Sequence, residues 1–437
     1  MSDTHAQTVS YVRETMLPEQ TPPISQMGAI RWLRENLFSG PLNIILTIIS
    51  LYVVYWIAVH IGPWMINGIW DAGSLSECRA IRDATLPPGS SAACFAVIAE
   101  RWPQLLFGFY PSNAYWRPVL ALVVFLAGIA PILFDRLPRK MLILTALTPF
   151  IMFALLWGGS IWGPFSVALG FVVGFAAFRL ISPINALLGT LGTIILPILF
   201  WAFLSGPIAA TLNSLGAVGL PFIASKDFGG FTLSVVIGIA AIILSLPLGI
   251  LLALGRQSDL LIIKVSAVVF IEVIRGVPLI VWLFTASLLL NYFLPPGTNF
   301  DLMLRVIIMV TLFASAYIAE VVRGGLAALP KGQYEAADAL GLDYWKAMQL
   351  IILPQALKIS IPGIVNTFIG LFKDTTLVVF IGLLDPIGLS NAIRASSDWN
   401  GIYWELFLFI GILFFIFCYS MGRYSQYLEK KLQRENR

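Results

Sequence analysis

The 437-residue chain has little charge, little histidine and little cysteine. Only 11% of its residues are charged, whereas soluble domains carry about 25%, and that difference excludes a water-soluble globular protein. Its two histidines, His5 and His60, permit neither an H-E-x-x-H helix nor a histidine-rich metal site, so no metal is expected. No G-x-x-x-x-G-K-[ST] loop occurs, so the chain cannot cradle a nucleotide in that way. A serine nucleophile elbow and a cysteine–histidine pair are also missing, which leaves no support for an enzyme. The formal charge of +4 is too small to suggest a nucleic-acid partner. No cleavable leader is evident: the first forty residues are polar, contain Pro18, Pro22 and Pro23, and precede a full-length apolar run.

What is present is apolar. Hydrophobic residues make up 58% of the chain and mean hydropathy is +0.87. They come in runs of roughly 17–25 residues, the length of helix that crosses about 30 Å of hydrocarbon. The alternating segments of about 10 residues that build a barrel are absent. The expected fold is all-α and polytopic, with about ten spans: Leu42–Trp64, Val119–Phe134, Met141–Trp157, Trp162–Phe178, Leu187–Leu204, Phe231–Leu254, Leu261–Leu290, Leu302–Val322, Ile359–Leu384 and Tyr403–Met421. Arg31 and Arg34 precede the first span. Arg136, Arg139 and Lys140 follow the second, Arg256 the sixth, and Arg323 with Lys331 the eighth. The tail adds Arg423, Lys430, Lys431, Arg434 and Arg437. By the positive-inside rule both termini face the cytoplasm, and the N-terminal tail is expected to be mobile.

Residues 65–117 form one sizeable outer loop containing Cys78 and Cys94. On an oxidising side they can close a disulfide, worth about 3 kcal/mol on the chain-entropy model; the alternative is two free thiols. Cys418, inside the last span, reads as a small packing residue. The expected organisation is a tail (1–41), an extension of about five spans (42–205), a linker (206–230), a second set of spans (231–427) and a C-terminal tail (428–437). No internal repeat relates the halves.

Between Pro330 and Gln355 lies a polar island, P-K-G-Q-Y-E-A-A-D-A-L-G-L-D-Y-W-K-A-M-Q-L-I-I-L-P-Q. Pro330 stops the eighth span and a new helix opens at Gly332-Gln333. Glu335 is expected in its first turn, where a carboxylate favours the positive end of the helix dipole. Ala336, Ala337 and Ala339 leave room for the groove of a partner. Gly341 suits a left-handed C-terminal cap, helix resumes over Leu342–Ile352, and Leu353-Pro354 is expected to end it before the ninth span. The product is a short helix lying across a membrane face and joined stiffly to spans at both ends.

Glu335-Ala336-Ala337, Gly341 and Ile351-x-Leu353-Pro354 match the E-A-A, x3, G, x9, I-x-L-P signature of bacterial ABC importer permeases. From Phe231 onward the chain resembles the permease subunits of polar amino-acid ABC importers, in Thr232-Leu233-Ser234, Ile271–Leu279, Ala319–Gly325 and Lys373–Val378. The long N-terminal extension makes it most similar to the long permease of general L-amino-acid or glutamate/glutamine/aspartate/asparagine systems. The resemblance implies a five-span core in the bacterial inner membrane, paired with a homologous permease as a heterodimer. It also implies two ATPase subunits and a periplasmic amino-acid-binding protein. Residues 332–341 would be the coupling helix seated in an ATPase; ATP and Mg would belong to that partner, with no cofactor on this chain.

Charges within spans are costly and usually face a cavity or a partner. Glu272 and Arg275 stand three apart on one helix face, as do Glu320 and Arg323. Each pair reads as an internal salt bridge, or as groups that meet the carboxylate and ammonium of an amino acid along a pathway. Lys373 and Asp374, followed by Thr375, carry the same two readings. Gly276 and Pro278 are expected to unwind or kink the seventh helix, as a hinge or by simple packing. The competing function is an ion-coupled secondary amino-acid transporter, which would show paired repeats around broken helices.

Overall fold

The computed structural model describes residues 28–435 except 135, 217, 290, 291 and 293–300. The helices are α1 (Gly28–Asn36), α2 (Pro41–Ile66), α3 (Leu75–Thr85), α4 (Ala96–Phe107), α5 (Trp116–Leu133), α6 (Leu142–Leu156), α7 (Trp162–Ile181), α8 (Ala186–Leu199), α9 (Ser205–Leu215), α10 (Gly230–Gln257), α11 (Leu261–Gly276), α12 (Leu279–Phe284), α13 (Leu302–Ala327), α14 (Lys331–Ala339), α15 (Tyr344–Ala347), α16 (Leu353–Asp374), α17 (Pro386–Arg394) and α18 (Trp404–Glu435). Among the described residues nine helical stretches are long and apolar enough to span a membrane, or ten if the bent pair α11–α12 is one span. That is the all-α, polytopic architecture expected from the apolar runs.

The chain forms two compact units. One comprises the described residues up to Ile69 together with Arg79–Cys94. Within it Pro41 opens α2, where a missing N–H costs nothing, and the buried Thr47 hydroxyl donates to the Leu37 carbonyl at 2.9 Å. Ala93 closes this unit: its N–H donates to the Trp64 carbonyl (2.9 Å) and its carbonyl accepts from Ile69 (2.8 Å).

The other unit, Trp70–Cys78 with Phe95 onward, holds the main core. Leu233, Ile237 and Ala241 of α10 meet Met303, Val306 and Val310 of α13, and Phe107, Tyr110 and Leu156 from before residue 206 join the same cluster. The Tyr110 hydroxyl donates to the Leu156 carbonyl at 2.7 Å, and Thr232 donates to the Leu106 carbonyl at 2.9 Å. At the α4–α10 junction two backbones touch: a Cβ at Gly108 would overlap the main chain of Gly229. Residues 206–215, read from sequence as the start of a linker, are instead the last turns of a span over Leu191–Leu215. Cys78 and Cys94 are disulfide-bonded and Cys418 is a free thiol.

One further boundary differs from the sequence reading. The ninth span is a continuous helical stretch over Tyr344–Ile381, because Leu353-Pro354 does not break it. A wide turn at Met348–Ile352 precedes Pro354, which occupies the first turn of α16, where its ring and missing N–H are tolerated. The expected end of the seventh span, Leu290, lies outside the described residues, as does the tail up to residue 27.

Candidate functional site: a short exposed helix beneath a charge cluster

Helix α14 begins at Lys331, with Pro330 (φ −59°, ψ 138°) as its N-cap. It therefore starts one residue earlier than expected, and Glu335 falls in its second turn rather than its first. The far end is a Schellman motif. Gly341 has φ +66°, its N–H donates to the Asp338 carbonyl (2.9 Å), and the Leu342 N–H donates to the Ala337 carbonyl (3.3 Å). A residue with a Cβ is disfavoured at that φ. Asp343 then caps α15 by accepting from the Lys346 N–H at 2.9 Å. That backbone bond, aided by the Lys346 side chain, holds its carboxyl below the usual range.

One face of α14 is anchored and the other is bare. Ala337 is buried against this chain, which corrects its expected place facing a partner. Tyr334 packs with Ile351 and Leu353 against the cluster of Leu326, Met348 and Ile352, and burial pushes its phenol up. The Gln355 amide donates to the Gln333 side chain at 2.9 Å, tying α14 to α16. Glu335, Ala336, Ala339 and Leu340 are exposed, Leu340 at 72%. The motif thus divides its labour: Ile351, Leu353 and Ala337 hold the helix, Gly341 ends it, and Glu335 and Ala336 remain available. Pro354 is exposed and shapes the start of α16.

The charges gather in an arrangement the i, i+3 spacing did not foresee. Arg256, at the end of α10, donates to Glu272 of α11 (2.9 Å) and to Glu320 of α13 (2.6 Å). Glu320 also takes Arg323 at 3.1 Å and Arg275 at 3.7 Å. The expected Glu320–Arg323 pair is present. The expected Glu272–Arg275 pair is not: Arg275 turns to Glu320 and lies 5.3 Å over the Tyr317 ring, while Arg256 occupies Glu272. Three arginines face two glutamates, an excess of one positive charge (+3 − 2). Such a cluster can lock α10, α11 and α13 together at one end, or receive a carboxylate. Arg256 was legible only as a topology marker, because its partners come from helices 16 and 64 residues away.

Gly276 and Pro278 do interrupt the seventh span. Helices α11 and α12 meet at 101°. Val277 is extended (φ −121°, ψ 134°), the conformation a following proline imposes, and Pro278 (φ −58°, ψ 143°) caps α12. Lys373 and Asp374 end α16 without pairing with each other among the described residues; Lys373 is exposed and Asp374 half-buried. Thr375 is fully buried and donates to the Phe372 carbonyl at 2.7 Å. These three lie apart from the Arg256 cluster in their bonding.

Residues 245–434, which contain the whole cluster and α14, match the family model "Binding-protein-dependent transport system inner membrane component". The chain is 57% identical over its whole length to the glutamate/glutamine/aspartate/asparagine transport system permease protein BztC of Rhodobacter capsulatus, and covers 100% of that relative. It is 37% identical to the inner membrane amino-acid ABC transporter permease protein YhdY of Escherichia coli, over 92% of this chain and 93% of the relative. A solved amino-acid ABC transporter with histidines is 30% identical and covers 45% of this chain and 90% of its own, with a TM-score of 0.41. Permeases of this family work in the inner membrane with ATPase and binding-protein partners. The similarity runs through the extension as well as the matched segment, and the chain belongs to the amino-acid ABC transporter permeases.

Proposed function

We propose that this permease imports polar L-amino acids, receiving them from a periplasmic binding protein and releasing them to the cytoplasm by alternating access. Both termini face the cytoplasm. The chain pairs with a homologous permease, and two separate ATPase subunits hold ATP and Mg and carry out all hydrolysis; this chain needs no cofactor. Helix α14 sits in a groove of one ATPase. Closure of the ATPases around nucleotide moves α14, and with it α13 and α16, as a rigid body. The 101° break at Gly276–Pro278 gives the seventh span a place to yield, and the Arg256 cluster holds the three helix ends in register. Lys373 and Asp374, not tied to each other, are left to face the pathway with Thr375 behind them.

The observation that carries this reading is the two-sided character of α14: Ala337 and Gln333 bind it to its own spans, while Glu335, Ala336 and Leu340 face outward. Its test is a single cysteine at Ala336 in a Cys418→Ser background, leaving the bonded Cys78 and Cys94 intact, crosslinked with the co-expressed ATPase. A crosslink whose yield changes with ATP is expected. Uptake that persists with no ATPase present would overturn the reading and favour an ion-coupled transporter.

A further inference from the structure

Helices α5 and α6 form an antiparallel hairpin whose tip carries Arg136, Arg139 and Lys140, all exposed. Over residues 134–141 three basic residues stand against the single acid Asp135, a net +2 (3 − 1). Beside this tip a cavity of about 350 Å³ opens between the hairpin and α10. Gly128, Thr145 and Met152 form one wall, and Val236, Ile239 and Ile243 the other.

The wall offers hydrocarbon and almost nothing polar. Its hydroxyls are already committed: Thr145 donates to the Gly128 carbonyl at 2.6 Å, and Thr148 to the Leu144 carbonyl at 2.8 Å. A water needs two to four polar partners, and a zwitterion needs more, so neither suits the space. Along α6 the cavity runs from Thr145 to Trp157, about 18 Å at 1.5 Å per residue. That is close to one leaflet of a hydrocarbon core about 30 Å thick. Its near end begins five residues from Lys140, about 8 Å along the helix. Ile243 at the lip is 51% exposed, so the slot opens sideways, where a membrane span meets acyl chains.

A cationic mouth at the membrane surface leading into a dry slot of leaflet depth matches one kind of molecule. We propose that the α5–α6–α10 groove binds a single anionic glycerophospholipid, its phosphate at Arg136, Arg139 and Lys140 and one acyl chain in the slot. The lipid completes the contact between the α5–α6 hairpin and α10, the helix that leads into the matched permease segment. This goes beyond the import reading and needs only that these helices span a bilayer.

The test uses the whole complex in phosphatidylcholine bilayers doped with phosphatidylglycerol that carries a photoactivatable group on its acyl chain, with labelled peptides mapped by mass spectrometry. Labelling is expected on residues 125–157 and 236–243. Arg139→Gln is expected to lower it about fivefold, the weight of one cation near an anionic headgroup. Neutralising all three cations should bring it to the level of a matching phosphatidylcholine probe, and Ile243→Trp should block the slot. Equal labelling by both probes, unchanged by neutralisation, would mean ordinary boundary lipid and overturn the proposal. So would absent labelling together with a crosslink from a cysteine at Ile243 to the partner permease, since protein would then fill the groove.

Discussion

Helix α13 and the Leu191–Leu215 span have nearly the same length, 26 and 25 residues, and nearly the same hydropathy, 2.1 and 1.9. Yet within an 18-residue stretch of each, 56% of the residues of the first and 11% of those of the second are buried within the protein. Between helices in lipid the hydrophobic effect offers no preference, so close packing decides, and small residues permit it. Helix α13 buries Ala314, Ser315, Ala316, Ala319 and Gly325. A Cβ at Gly325 would meet Ser360 and the Ala356 carbonyl, and one at Gly249 of α10 would overlap Ile318. The 191–215 span instead presents Ile194, Phe203 and Leu215 outward and packs closely on α7, where Gly170 admits Trp201 and Gly174 admits Pro197. Hydropathy shows that a helix is in the membrane; side-chain size shows what it packs against.

The largest effect expected of that contrast is Gly325→Leu. A side chain there collides with the α16 backbone, an overpacking cost of about 1–3 kcal/mol or more, and the complex should fail to accumulate in membranes by immunoblot. Normal accumulation would break the argument that small residues hold α13.

Arg256→Ala should come next. It removes the cation shared by Glu272 and Glu320 and leaves a mostly buried carboxylate with weaker partners, a loss of about 2 kcal/mol for a charged hydrogen bond. Thermal unfolding of the purified complex checks it. Arg275→Ala, whose nearest carboxylate is 3.7 Å away, should cost clearly less; equal losses would deny Arg256 its central place.

Gly341→Val places a β-branched residue at φ +66°, costing about 1–2 kcal/mol locally. The protein should remain in the membrane while uptake and transport-coupled ATP hydrolysis are lost. Intact coupling in that variant would separate the Schellman turn from the function of α14.

A smaller effect is expected from Asp385, which lies between spans as the N-cap of α17. One carboxyl oxygen accepts from the Gly388 N–H at 2.9 Å, and the other is buried with no hydrogen-bond partner among the described residues. Burial pushes its carboxyl up from 3.8 to about 6. The folded state therefore holds the proton more tightly than the unfolded chain, and stability should fall as pH rises from 3.8 through about 6, then level off. Asp385→Asn should flatten that window in a Tm-versus-pH series; an unchanged slope would assign it to another group.

At the bottom of the scale, Phe203→Leu on the exposed face of the 191–215 span should change stability by less than about 0.5 kcal/mol. A large loss would mean that protein, not lipid, covers that face.

Local features were legible in the chain because their causes are local. Apolar run length sets the spans, proline fixes φ at Pro278 and so bends the seventh span, and glycine alone takes the left-handed turn at Gly341 without strain. The Glu320–Arg323 pair followed from i, i+3 geometry. The Glu272–Arg275 pair obeyed the same geometry and did not form, because Arg256 reached Glu272 from another helix. Small neighbours suggest that Ala337 faces a partner, but the direction in which a short helix turns depends on what lies beneath it. Pro354 signals a helix stop in the sequence, and the wide turn before it absorbs the ring.

By itself, the sequence determined that this chain crosses a membrane about ten times, where it bends, and that it carries the short helix of an importer permease. Those outcomes rest on solvation and backbone sterics, which act over a few residues. The tertiary structure decided which carboxylate each arginine meets, which face of α14 is free, and that residues 95–157 share a core with α10 and α13. These depend on side chains brought together from distant helices, where packing and Coulomb attraction act over distance in space rather than along the chain.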